Sequence, residues 1–437
     1  MARPPQNFTH KVIIRRCPDY DNVDRIRGLV AEGMAELGAK PHGRVLLKYN
    51  LVFAHPRMGR SAFTNPSVLE AVIDAVGARP EVDKVILGER TGAYMPTRYA
   101  FRMSPFARLA QKPKVEVCFF DEDKKVEVEL TKGVYHKKLK LARTIVEADY
   151  KIYAPKLKHH VSTKLTCALK LNIGICDQKE RLDGHDWRLE EKIADLYEPG
   201  HPDFIVVDAI DAGQKNEIFP EPRRLGLLMM GTSSVAVDAI AARILGFSSG
   251  DIKHLRLARE RGWEPVSDDQ IELVSEVPWT EIEQKAKDWD CSFGDLDQIE
   301  TPVRFFLGHH PGGTEPCWGG CINMLKGALA GFDANRPGCL KDARPLAVVV
   351  GEYEGDVDGQ GLPVLLIGKC TKVKGKINGR VYRVPGCPVG IPIFTILAPI
   401  FLRIPSPILS ESPVQALVFP YDIARAWLNR LKNRLIM

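Results

Sequence analysis

Between residues 45 and 262 the sequence repeatedly sets a short apolar run of strand length ahead of a stretch with apolar residues at helical spacing. VLLKYNLVF (45–53) precedes NPSVLEAVIDAVGA (65–78), in which Asn65 is placed to cap a helix and Pro66 suits its first turn. KVILGER (84–90) returns as a strand. YKIYAPKLK (150–158) and FIVVDAI (204–210) both run from apolar into polar residues. LGLLMMGTSSVAVDAIAARILGF (225–247) reads as strand, turn at Gly231 and helix, with hydroxyls at Thr232–Ser234 to cap it, and a helix over 251–262 is expected next. Strands that alternate with helices bury both kinds of apolar face by packing helices on a sheet, so the expected class is α/β. KVEVCFFD and KKVEVELT read as two adjacent strands around the polar turn Asp121–Lys124, which makes the expected sheet mixed, mostly parallel and flanked by helices.

At 437 residues the chain exceeds one typical core, and a Pro/Gly-rich break at 308–320 marks a change of character. The expected division is an α/β domain over 1–300 and a smaller C-terminal cysteine-rich iron–sulfur domain over 301–437. No internal repeat stands out. A net charge of +6 over this length does not argue for nucleic acid, and no nucleic-acid-reading motif is present. MARPPQNFTHKVIIRR has no apolar core of a secretory signal, so a cytoplasmic location is expected. The longest apolar run, Ile391 to Leu402, is broken by Pro392 and Pro399 and is too short to span a bilayer. Burial is its ordinary fate; contact with a membrane surface or a partner is the other.

Ten cysteines in a reducing compartment call for metal or catalysis rather than disulfides. Cys17, Cys118, Cys167, Cys176 and Cys291 are scattered and read as core. Cys317, Cys321, Cys339, Cys370 and Cys387 fall in the last third among glycines and prolines. Cys317-Trp-Gly-Gly-Cys321 opens an apolar helix (322–330), Cys370 follows the strand LPVLLIGK, and Cys387 lies in VPGCPVG. Four thiolates with small neighbours, so that backbone amides approach the sulfurs, suit a 4Fe-4S cluster on Cys317, Cys321, Cys370 and Cys387. Cys339, in a Pro-Gly-Cys loop, is an alternate ligand. A zinc site and unliganded loop thiols are the other readings, although the spacing is unlike the two close pairs of a zinc ribbon.

Residues 132–170 hold ten Lys/Arg against Glu147 and Asp149. Within them PKLKHHVSTKLTCALKLNIG (155–174) interleaves Lys156, Lys158, His159, His160, Lys164 and Lys170 with apolar residues, a mixture that suits a pocket wall better than a solvated charge run. Lysines at the carboxyl ends of strands bind phosphate or carboxylate, and histidine moves protons near neutral pH. His185, in LDGHDW, is a third histidine candidate. Asp238 is an ionisable residue where the helical pattern asks for a hydrophobe; it is a substrate-binding candidate that could ligate, hydrogen-bond a loop or pair with a cation, and structural pairing is the plainer explanation. Gly88-Glu89-Arg90-Thr91-Gly92 is only a weak loop signal. No GxGxxG follows the first strand, and no Walker loop or HExxH is present.

LLKYNLV with NPSVLEAVIDAV, then APKLKHHVSTKLTCALKLNIG, His185, VVDAI and GTSSVAVDAIAARILG, resembles in that order the domain-of-unknown-function family 362 over roughly residues 40–265. Members often carry iron–sulfur centres, which the resemblance therefore implies here. By position it implies a lysine–histidine segment at Lys156, Lys158 and His159, a lysine–asparagine pattern at Lys170 and Asn172 (KLN here, against a direct KN), and the family's helical aspartate at Asp238. The chain lacks the ferredoxin module of many relatives, and its GCP ending is similar to ligand loops of hydrogenase small subunits.

The expected function is an iron–sulfur oxidoreductase acting on an anionic small molecule, with electrons from a ferredoxin-like partner because no flavin or nicotinamide motif is evident. The alternatives are a non-redox lyase or isomerase using a metal as Lewis acid, and an electron-transfer or scaffold protein whose apolar C-terminal segment docks a partner or membrane.

Overall fold

The computed structural model describes residues 10–55, 59–92, 95–183, 188–291, 296, 299–406 and 413–435. Strands Ile271–Ser275, His10–Arg16, Glu221–Gly231, Phe204–Gln214, Tyr150–Ala154, Gly43–Tyr49, Val82–Glu89 and Val115–Phe119 lie side by side in that order. All neighbours run parallel except Glu221–Gly231, which is antiparallel to both strands beside it. The fold is therefore α/β, with a mixed, mostly parallel sheet. Helices Val23–Glu36 and Pro66–Gly77 cover one face over Val45, Leu47, Ile152 and Val206. Leu189–Gly200, Ser234–Ile244 and Lys253–Glu260 cover the other, over Leu46, Tyr153, Val207 and Met229. Burial on both faces is what the near-continuous apolar strands require. Asn65 caps its helix by accepting from Ser67 N at 2.9 Å, and Ser233 caps Ser234–Ile244 through Ala236 N at 3.3 Å.

The expected hairpin about Asp121–Lys124 does not form. Val115–Phe119 extends the sheet in parallel register with Val85–Glu89, and Lys125–Glu129 pairs instead with Lys138–Ala142. Asp123 braces the turn that results: one carboxylate oxygen accepts from Lys124 N at 2.8 Å and the other from Thr144 N at 2.9 Å.

A second, four-stranded parallel sheet begins at Arg304, in the order Arg304–Leu307, Ala347–Glu354, Val357–Lys374, Ile377–Val384. Its last three strands stack as rungs: Ala347, Val364 and Val381 are aligned, as are Val350, Ile367 and Val384, each seventeen residues apart. This corrects the expectation of no repeat. In sequence VVVG and LLIG match in two rungs, the third reads YRVP at the same place, and bulges stretch the spacing elsewhere. Helix Asn323–Asn335 packs on these rungs through Leu325, Leu329 and Phe332.

The two parts interlock. The loop between Phe204–Gln214 and Glu221–Gly231 projects Ile218 and Phe219 onto helix Asn323–Asn335, where small residues make room. A Cβ at Gly327 would lie 2.6 Å from Ile218 Cδ1, and one at Gly331 2.8 Å from the Phe219 ring. Among the described residues no helix is long and apolar enough to cross a membrane.

Candidate functional site

A cavity of about 90 Å³ lies outside the carboxyl ends of Gly43–Tyr49 and Val82–Glu89, where parallel α/β sheets usually hold ligands. Its wall carries four cationic side chains, Arg90, Lys158, Lys170 and Arg181, against two carboxylates, Glu89 and Glu217. Asn323, from the C-terminal part, completes it.

The floor is an ion pair. Lys48 Nζ donates to both Glu89 oxygens at 2.9 and 3.0 Å, with both side chains buried. Burial pushes the Glu89 carboxyl up and the Lys48 ammonium down, each opposed by the other's charge. Gly174 lies over the pair; a Cβ there would come within 2.8 Å of Lys48 Nζ. Arg90 donates to Cys176 O at 2.6 Å, and Arg181 donates to Thr91 O. Burial lowers Arg181 to about 10, which leaves it cationic at neutral pH.

Strand Lys156–His160 supplies the next wall. Side chains alternate along a strand, so Lys158 and His160 share one face and His159 takes the other. Lys158 Nζ donates to Ala62 O at 2.6 Å and Glu217 O at 2.7 Å. Burial lowers its ammonium to about 7, against the opposing charge of Glu217 and with the help of Lys170 and Lys156. Lys170 is lowered to about 8, again chiefly by burial. His160 Nδ1 accepts from Ser162 N at 3.1 Å and Thr163 N at 3.3 Å, so in the neutral ring the proton sits on Nε2, 3.7 Å from Glu217 Oε1. Glu217 Oε1 also accepts from Asn323 Nδ2 at 3.0 Å.

The cavity thus gathers Lys158, His160 and Lys170 of the residues expected from sequence. Lys156 points to Asp208 and Tyr20 instead, at 3.0 and 2.8 Å. His159 is buried against Phe247, and burial lowers its pKa, which keeps the ring neutral. Lys164 is exposed and lies over the Phe247 ring. Asn172 is buried and accepts from Tyr153 OH at 2.7 Å. Asp238 accepts from Ala168 N at 2.8 Å and Leu169 N at 3.0 Å, which fixes the turn that carries Lys170. Burial raises Asp238 to about 7, and those two amides oppose the shift. Its role is to position that turn. His185 lies outside the described residues. Lys48, Glu89, Arg90, Arg181, Glu217 and Asn323 were not expected as site residues. Lys48 carried a signal, a charge inside an apolar strand; Glu217 and Asn323 carried none.

Cys321 and Cys370 flank Gly368 at one corner of the rung stack. A Cβ at Gly368, whose φ is 98°, would lie 3.2 Å from Cys321 Sγ and 3.7 Å from Cys370 Sγ. Lys369 N donates to Gly386 O at 2.9 Å, which brings Cys387 beside Cys370. Cys317 precedes the irregular turn Trp318–Ile322 that leads to Cys321 and helix Asn323–Asn335. Cys339 Sγ donates to Phe332 O at 3.3 Å, at the far end of that helix and roughly 20 Å from Cys321 by the rise per residue. Among the described residues no three His, Cys, Asp or Glu side chains are arranged to hold a metal ion. Thiols are the donors an iron–sulfur group takes, and Cys321 and Cys370, both within 4 Å of a Cβ placed at Gly368, would be two of its ligands.

Residues 45–243 match the family model described as Domain of unknown function (DUF362). The match covers the sheet strands from Gly43–Tyr49 to Glu221–Gly231 and both basic walls of the cavity. The chain is 26% identical over 238 residues to the thylakoid-associated protein sll1697 of Synechocystis sp. (strain ATCC 27184 / PCC 6803 / Kazusa), which covers 52% of this chain and 71% of that protein. Among solved structures it is similar to the lactate racemase apoprotein from Thermoanaerobacterium thermosaccharolyticum, at 12% identity and a TM-score of 0.36, over 81% of this chain and 72% of that one.

Proposed function

We propose that this protein is an iron–sulfur oxidoreductase acting on a small carboxylate- or phosphate-bearing molecule. A 4Fe-4S cluster on Cys317, Cys321, Cys370 and Cys387 would exchange single electrons with a ferredoxin-like protein. The reading rests on one observation above the rest. Asn323, two residues after Cys321, holds Glu217 in the cavity wall at 3.0 Å, so the thiol corner and the cationic cavity share one hydrogen-bonded element. Arg90, Arg181 and Lys170 would bind the anion. Lys158, lowered to about 7, would give or take a proton at Nζ near neutral pH, with the Ala62 and Glu217 carbonyls fixing its position. His160 Nε2 would supply a second proton site. Burial of the Lys48–Glu89 pair beneath excludes water from the floor.

The test is reoxidation of the dithionite-reduced protein by a panel of small carboxylates and phosphate esters, followed by visible absorbance. One class should reoxidise it, and Lys170→Met should slow that step without loss of iron. Equal rates in wild type and Lys170→Met would remove the cavity from the reaction.

The titration of Lys158 favours a second reading, a lyase or isomerase that moves protons only. It is the better account if one of the four cysteines can be replaced with the metal retained and turnover intact.

A further inference from the structure

We propose that helix Pro413–Leu435 is an interfacial anchor that lays this protein on an anionic lipid surface. Twelve large apolar side chains are exposed among the described residues, and five of them are on this one helix: Leu417 (72% exposed), Tyr421 (56%), Ile423 (44%), Trp427 (58%) and Leu428 (57%). Ordinary surfaces carry such residues singly, so their concentration marks an interaction face.

The face is held outward by the opposite one. Phe419, Asp422 and Ala426 are buried, and Phe419 packs on Tyr99. Asp422 takes two hydrogen bonds from Arg102, both at 2.9 Å. Arg430 reaches Asp121 at 3.0 Å, while Asn429 and Asn433 bond Glu122 at 2.6 Å each. These bonds fix the rotation of the helix, so the apolar side chains cannot turn inward without breaking them.

Charge selects the occupant. Over 413–435 the sequence has four cations, Arg425, Arg430, Lys432 and Arg434, and one carboxylate, Asp422, which is buried by Arg102. Arg425 and Lys432 are exposed beside the apolar residues. An apolar face with Trp and Tyr, flanked by cations and free of exposed carboxylates, is the composition that seats in a headgroup layer. The helix does not qualify as a membrane span, so it would lie in the plane of the surface. The anchor is independent of the cluster and of the cavity.

The test is co-sedimentation of the full chain with vesicles of phosphatidylcholine alone and with added phosphatidylglycerol. Wild type should pellet with the anionic vesicles. The double variant Trp427→Ala/Leu428→Ser should bind them about tenfold more weakly, since both side chains insert. Arg425→Glu/Lys432→Glu should lose the preference for phosphatidylglycerol and keep residual binding. All four positions are exposed, and unchanged far-ultraviolet circular dichroism will check that the variants fold. Wild type left in the supernatant with both vesicles would overturn the proposal. So would a concentration-dependent dimer, abolished by Trp427→Ala/Leu428→Ser, in protein that ignores vesicles; the face would then belong to a second copy of the chain.

Discussion

The cavity wall and the cysteine corner solve opposite problems with the same kind of backbone. In the cavity, charges are taken out of water at the ends of parallel strands, and each is answered: Lys48 by Glu89, Lys158 by two carbonyls, Glu217 by Asn323. At the corner, a neutral glycine, Gly368, lies between two thiols, and ion pairs of the same sheet, such as Lys374 with Glu354 at 2.7 Å, are exposed. Stability should therefore depend on electrostatics in the first region and on backbone space in the second.

Breaking the Lys48–Glu89 pair should have the largest effect. Glu89→Gln leaves a buried ammonium without its counter-charge and should cost about 3–5 kcal/mol in chemical denaturation. A loss no larger than that of a surface substitution would end the contrast. Next, Gly174→Ala drives a methyl group into the same pair and should cost about 1–3 kcal/mol. Gly368→Ala brings a Cβ within 3.2 Å of Cys321 Sγ, closer than ordinary contact and at a positive φ, and should cost about 1–2 kcal/mol while shifting the thiols.

A smaller effect tests the pH behaviour of the cavity. Lys158 loses its proton as pH rises through about 7, so the cation that helps bind an anion is present below that value and lost above it. Phosphate affinity, read by calorimetry, should fall as pH rises from about 6 to about 8, by up to roughly tenfold per unit above the pKa. Lys158→Arg, which stays charged, should flatten that slope. The least effect is expected from Lys374→Ala on the rung stack, which should leave the denaturation midpoint unchanged because exposed pairs of this kind contribute little.

Local rules made much of this molecule legible in advance. Asn65 and Ser233 cap the helices where the sequence places them, Pro66 takes the first turn, and the strand–helix alternation gives the sheet. The strand period of two also separates His159 from His160 once Lys156–His160 is known to be a strand. Long-range pairing was not legible. Whether Val115–Phe119 meets its neighbour in sequence or Val82–Glu89 depends on which partner completes a buried sheet, and no local residue encodes that choice. Glu217 lies in a loop with no motif, and its partners His160 and Asn323 come from segments 57 and 106 residues away. The rungs were hidden because VVVG and LLIG match in two of them while the third reads YRVP at the same place.

The central claim is that the four thiols hold an iron–sulfur cluster beside the cavity. Anaerobic purification, with iron and sulfide analysis and electron paramagnetic resonance before and after dithionite, tests it most directly. The account predicts about four irons and four sulfides per chain, the content of one cubane cluster, with a signal that appears on reduction and is lost in Cys370→Ser but retained in Cys339→Ser. Zinc in place of iron, or wild-type iron content in Cys370→Ser, would contradict it.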